Sequence, residues 1–236
     1  MFNLSFGDIT VTRIVEMEMP LLEASVFFPD WREVAVKPHL DWMVPRHYDP
    51  LSGNVVINIQ AFLVQTPRHK ILVDTCVGNH KPRKRDMFDG AIFPWMRNFL
   101  ALGVTPKDID YVLCTHMHVD HVGWNTKLEN GRWIPTFPNA KYIFAKTELE
   151  FWEQQSGQQK MMRTGDYIVD SVLPILEAKQ EVLVETDYQL DDGLSLLPLP
   201  GHTPGMVGLR IKSKDSEKAT SSEFSFSQTI VYSPTP

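Results

Sequence analysis

Two cysteines, Cys76 and Cys114, are too few for a disulfide framework. Both stand in apolar runs, which points to buried thiols in a reducing compartment, with a single bridge between them left open. An excess of positive charge is also missing. The 23 Lys and Arg face 29 Asp and Glu, a formal charge of −6, so no general attraction to nucleic-acid phosphates or anionic lipid is expected. No run approaches the roughly 18 apolar residues of a membrane-crossing helix. The first residues, Met1 to Met19, lack a basic segment followed by an apolar block, so the sequence reads as unexported and cytoplasmic, without a membrane partner. What is present is core material: 43% hydrophobic residues, with six Trp and thirteen Phe, excludes disorder over most of the 236 residues. That length suits one medium-sized domain.

β-rich runs dominate the first third: Ile9 to Val15, then Val55 to Val64 and Ile71 to Val73, joined by the turn-like Thr66-Pro67-Arg68-His69. Between them, Leu21 to Asn54 holds four prolines among Phe27, Phe28, Trp31, Trp42 and Tyr48. It reads either as an ordered lid or as a strand-and-loop cover on the core. Ile92 to Leu102 has helical apolar spacing and stops at Gly103; Thr105-Pro106-Lys107-Asp108 is a good start for a further helix. Strands are expected at Tyr111 to Cys114, Tyr142 to Ala145, Val182 to Val184, Leu194 to Leu199 and Val207 to Ile211. Helices are expected at Lys146 to Gln155 and around Tyr167 to Ala178, the latter accommodating Pro174. Local strand pairs followed by interleaved helices indicate an α/β sandwich of layers. After Lys212 the composition changes, with ten Ser or Thr in the last 24 residues. The reading therefore assigns 1–212 to the domain and 213–236 to an atypical tail.

The densest chemistry lies in Thr115-His116-Met117-His118-Val119-Asp120-His121. Extended backbone leaving a strand alternates its side chains, so His116 and His118 point the same way, with Asp120 and His121 at the next turn. Imidazole and carboxylate suit Zn²⁺ or another first-row divalent ion, and a catalytic site needs three protein ligands and an open position. Pro200-Gly201-His202-Thr203-Pro204-Gly205 supplies a third imidazole after a strand, its glycines permitting a tight turn and close approach. The basic run Lys81-Pro82-Arg83-Lys84-Arg85 reads as a solvated loop. Asp74 is expected to order the loop beneath the histidines through hydrogen bonds. Trp124 and the aromatics of the long segment are candidates for an apolar pocket or for core, and Met87, Met96, Met161 and Met162 for core alone.

THMHVDH with PGHTPG resembles the metallo-β-lactamase superfamily, whose HxHxDH motif is its most specific signature; the likeness extends over approximately Phe2 to Ile211. Ile71-Leu72-Val73-Asp74-Thr75 is similar to the family's LVDTG strand end, with Cys76 where glycine is usual. The long aromatic N-terminal region, VDTCVGNHK and GHTPG look most like the group containing N-acyl-homoserine lactonases and methyl parathion hydrolase. The resemblance implies a four-layer αββα sandwich with its site at the edge of two sheets. It implies a first metal on His116, His118 and His202 and a second drawing on Asp120 and His121, with one or two Zn²⁺ as cofactor.

The family's second site is completed by a bridging Asp after the strand following GHTPG and by a later His. Here Asp215 lacks the Gly-Asp context and no histidine follows His202. The expectation is a C-terminally incomplete sandwich with weak turnover. The implied reaction is attack of a metal-bound hydroxide on a lactone or related ester carbonyl, with Asp120 as the candidate base. The alternatives are a glyoxalase II-like thioester hydrolase and an inactive truncated product. The expected partner is a small-molecule substrate, and uncovered sheet edges leave a homodimer open.

Overall fold

The computed structural model describes residues 3–155, 165–214 and 221–226. Strands β1 (Asn3–Phe6) and β2 (Ile9–Glu23) form a hairpin turning at Gly7, whose φ of 59° favours glycine. The first expected strand is thus longer than Ile9 to Val15. It continues through register shifts at Val15/Met17 and Pro20/Leu22, Pro20 sitting beside the second, where a missing N–H is tolerated.

The long aromatic segment is broken into α1 (Ala24–Phe27), α2 (Glu33–Val36), α3 (Leu40–Met43) and β3 (Tyr48–Asp49). Its rings pack on one another, Phe27 on Phe28 and Phe28 on Trp31 and Trp31 on Tyr48, while Phe27, Phe28 and Trp42 remain exposed. The expected hairpin is present as β4 (Asn54–Gln65) and β5 (Lys70–Val73), closed by Thr66 N–H donating to His69 O. After α4 (Trp95–Leu100), Thr105 and Asp108 form a reciprocal capping box. It starts only one 3₁₀ turn rather than the expected helix, because β6 (Tyr111–Leu113) follows within three residues.

A hairpin of β7 (Thr126–Glu129) and β8 (Arg132–Pro135) turns at Asn130-Gly131, both at positive φ. Strand β9 (Lys141–Ala145) runs directly into α5 (Lys146–Gln155). The expected helix across Pro174 is two short ones, α6 (Ile168–Ser171) and α7 (Leu173–Glu177), separated at Val172. Proline carries no N–H for the carbonyl four residues back, so Asp170 O accepts instead from Lys81 Nζ (3.0 Å) and from Thr126 Oγ1. Strands β10 (Glu181–Val184), β11 (Gln189–Asp191), β12 (Leu194–Pro198), β13 (Val207–Lys214) and β14 (Ser221–Phe226) complete the described elements. Strand β13 passes the expected boundary at Lys212 and pairs with β14 inside the segment read as a tail.

The large sheet has the order β1-β2-β4-β5-β6-β9-β10, with β3 on β4; the smaller has β11-β12-β13-β14. Pairing is antiparallel up to β4–β5 and parallel across β5, β6, β9 and β10. Strand alternation splits the interior in two. Leu72, Val112, Tyr142 and Phe144 face the helices with Trp95, Phe99, Trp152, Ile168 and Ile175. Ile71, Val73, Leu113 and Ile143 face the small sheet with Leu194, Leu196, Val207, Leu209 and Ile211. Met87 and Met96 pack against the helix-side core as expected; Met161 and Met162 lie outside the described residues. Both cysteines are free and buried, which removes the bridge left open by the sequence.

Candidate metal centre

Four chain segments meet where the parallel strands end, the usual place for a site in an open α/β sheet. Asp74 follows β5, the histidine run follows β6, α5 follows β9, and the loop with His202 joins β12 to β13. Beneath the site, the residues after β5 interlock with those after the histidine run: Thr75 N donates to His121 O (2.8 Å), Gly123 N to Cys76 O (2.7 Å) and Trp124 N to Thr75 O (2.7 Å). This needs unusual backbone. A Cβ on Gly123 would lie 1.8 Å from Val77 O, so only glycine fits the crossing. Asp74 and Cys76 adopt φ of 60° and 54°. Cys76 therefore occupies, at some strain, the left-handed position where the resemblance places glycine.

Asp74 organises the histidines, as the sequence led us to expect. Its carboxylate accepts from Thr115 N (2.8 Å), from Thr115 Oγ1 (3.0 and 2.9 Å) and from His121 Nδ1 (2.9 Å). The single hydroxyl proton of Thr115 goes to Asp74, so Thr115 Oγ1 is left to accept from His116 Nδ1 at 3.2 Å. That fixes His116 as the Nδ1–H tautomer with a lone pair on Nε2. His116 Nε2 is buried and has no hydrogen-bond partner.

Around that nitrogen the side chains gather as the spacing predicts. Ligand atoms of His116, His118 and His202 lie within 4.8 Å of one another. Their ring centroids are 4.8, 4.9 and 4.6 Å apart. Burial and the neighbouring imidazoles hold His116 well below the usual histidine range. Burial pushes His118 down to about 4, with His202 and His121 adding to it against the pull of Asp120. Three imidazoles whose ligand atoms gather this closely, one of them with a buried nitrogen that has no hydrogen-bond partner, suit a divalent cation.

Asp120 and His121 stand beside this triad but outside its 4.8 Å group. His121 is buried, its ring 3.8 Å from that of His116, and its Nε2 lies 3.6 Å from Asp120 Oδ2. Burial alone would lower the His121 pKa, but Asp74 and Asp120 outweigh it and raise it. With Nδ1–H given to Asp74, the other nitrogen faces a carboxylate, an arrangement satisfied by a proton or by a cation.

Residues not singled out from sequence complete the surroundings. Glu16 of β2, 5% exposed, accepts from Val77 N (2.8 Å), Gly78 N (3.2 Å) and Trp124 Nε1 (3.0 Å). Burial pushes its pKa up to about 7 against those three bonds, with Asp120 adding to the rise. Glu148 of α5 is buried and bonded to both histidine-bearing loops. Each is a single carboxylate bonded to one indole and to backbone amides far along the chain, and no local pattern marks it. Trp124 is core, stacked on Trp95 at 5.4 Å, rather than pocket. The basic run is not a solvated loop at two of its positions: Lys81 is 0% and Arg83 6% exposed. Arg83 pairs bidentately with Asp170 (2.6 and 3.0 Å), and Lys81 Nζ lies 3.4 Å from the same carboxylate and 3.7 Å over the Trp133 ring.

The fold and this corner define an α/β protein with a candidate metal site, and residues 55–216 match the metallo-beta-lactamase superfamily; the chain belongs to that family. Among its relatives is the N-acyl homoserine lactonase of Bacillus cereus, 27% identical over 177 residues, which are 70% of this chain and 62% of the relative. The lactonase AttM of Rhizobium radiobacter is 31% identical over 121 residues, 50% of this chain and 41% of AttM. The chain thus spans roughly three fifths of the length of the Bacillus relative. Among solved structures, the hydrolase AbOPH of the beta lactamase superfamily superposes with a TM-score of 0.70 at 23% identity, covering 94% of this chain and 72% of that one. The dizinc quorum-quenching lactonase AidC gives 0.65 at 21% identity, covering 90% and 70%. These likenesses establish the fold. No helix among the described residues is long and apolar enough to cross a membrane.

Proposed function

We propose that the chain is a metal-dependent hydrolase acting on a lactone or a related ester. The observation that carries this is the buried, unpartnered Nε2 of His116 facing His118 and His202 within 4.8 Å. His116, His118 and His202 would hold a first ion, Zn²⁺ being the natural occupant of a three-imidazole set, and Asp120 with His121 would contribute to a second. When bound, such ions polarise the scissile oxygen and acidify water. The chain's own residues supply the rest. Asp74 fixes the orientation of His121 and, through Thr115, the tautomer of His116. Asp120, partly exposed with Oδ2 3.6 Å from His121 Nε2, would be the group that takes a proton. The lactonase relatives favour a cyclic ester over a thioester as substrate.

The test is hydrolysis of an N-acyl homoserine lactone and of S-lactoylglutathione by Zn²⁺-loaded protein, with metal content determined alongside. Lactone opening that is abolished in His116→Ala supports the reading. Faster thioester than lactone cleavage would replace it with the thioesterase alternative, and bound metal without turnover of either would leave a binding protein.

A further inference from the structure

The two histidine-bearing loops come from different sheets, so their spacing has to be set by something that touches both. Glu148, the third residue of α5, is 1% exposed. Its Oε1 accepts from Met117 N (2.9 Å), the amide between His116 and His118, and from Trp152 Nε1 (2.7 Å). Its Oε2 accepts from Gly205 N (3.0 Å), three residues after His202. The approach on that side is backbone to backbone: a Cβ on Gly205 would lie 2.3 Å from Glu148 N. Trp152, held by the same carboxylate, sets its ring against His118 at 5.1 Å. One carboxylate thereby ties together the first pair of imidazoles, the third imidazole's loop, and an aromatic wall.

We propose that Glu148 is a positioning residue that fixes the separation of His202 from His116 and His118, and so the geometry offered to a cation. This rests on the triad being a metal site. Charge-assisted bonds from backbone N–H groups are strong and directional, and partners one step removed from metal ligands set affinity by about 10- to 100-fold. Glu148→Gln keeps the shape but turns an NH₂ group toward at least one donor. Glu148→Asp keeps the charge but is one methylene too short to hold both loops. The protein retains an independent tie between the same segments, Val207 N to Thr115 O at 2.9 Å, so the loops stay attached in either variant.

The experiment is titration of metal-free protein with Co²⁺, reading the visible absorption band and, by competition with a chromophoric chelator, the dissociation constant. Wild type is expected to show a low-symmetry nitrogen-ligand band. Both variants are expected to bind about tenfold or more weakly with a shifted band, at a metal-free melting midpoint near wild type. Wild-type affinity and an unchanged band in either folded variant would overturn the proposal. Failure of wild type to bind Co²⁺ would instead overturn the metal-site reading. In unmutated protein, Zn²⁺ loading is expected to slow hydrogen exchange at the Met117 and Gly205 amides together; slowing at only one, or at neither, would also overturn the proposal.

Discussion

Two buried polar networks lie on this fold, and they differ in what they leave open. Around Asp170, two cationic side chains meet one carboxylate, with Thr126, Ser171 and a freed carbonyl accepting or donating around them. Two basic groups share that one carboxylate, and burial, with Arg83 beside it, pushes Lys81 down to about 7. Around His116, three imidazoles bring their ligand atoms within 4.8 Å of one another, and the buried Nε2 of His116 has no hydrogen-bond partner. The first network closes its basic groups on the Asp170 carboxylate and holds the 81–83 loop against α6, although Arg83 Nε too is buried without a hydrogen-bond partner. The second is short of a positive charge, and that shortage marks it as a site for a ligand.

Breaking the closed network should have the largest effect. Asp170→Ala would leave Lys81 and Arg83 buried without their anion, and a loss of about 3–5 kcal/mol is expected in denaturant unfolding. A loss under about 1 kcal/mol would mean that the cations find water. The comparison is sharpened next by pH. Glu16 has a folded pKa of about 7 against an ordinary value of 4.5. Its contribution is full below pH 4.5 and is lost as pH rises through 7, about 3 kcal/mol in all by linkage. Glu16→Gln should therefore flatten the fall in stability between pH 4.5 and 7, and an unchanged slope would contradict the assignment. Adding Zn²⁺ should have the smallest effect of the three. Zn²⁺ at about a hundred times its dissociation constant should stabilise wild type by about 2.7 kcal/mol. His116→Ala should show no rise in melting midpoint on adding Zn²⁺, and an equal rise would place the ion elsewhere.

The same contrast explains what could be read from the chain alone. The histidine run and the GHTPG loop were legible because their spacing is local and their residue types are rare; Val55 to Val73 was legible as a hairpin for the same reason. The basic run was misread because four cations within five residues look solvated until Asp170, on a helix far along the sequence, comes to meet two of them. Glu148 and Glu16 were invisible because, apart from one indole each, their partners are distant backbone amides, which nearly every residue carries. The Asn130-Gly131 turn, by contrast, did carry its signal: an Asn-Gly pair at positive φ joins β7 to β8. The helix through Pro174 was expected to continue because its apolar spacing does; only the missing N–H tells where it must break.

That break has a reach beyond its own helix. A single carbonyl, Asp170 O, is the object of competing claims: an unbroken helix would use it for the amide at position 174, and Lys81 Nζ and Thr126 Oγ1 share it now. Proline settles the competition by withdrawing one claimant. An alanine at 174 would restore it, and the returning amide would compete with the Lys81 and Thr126 donors for the same oxygen. A residue usually credited with ending helices here secures a charge on a different loop.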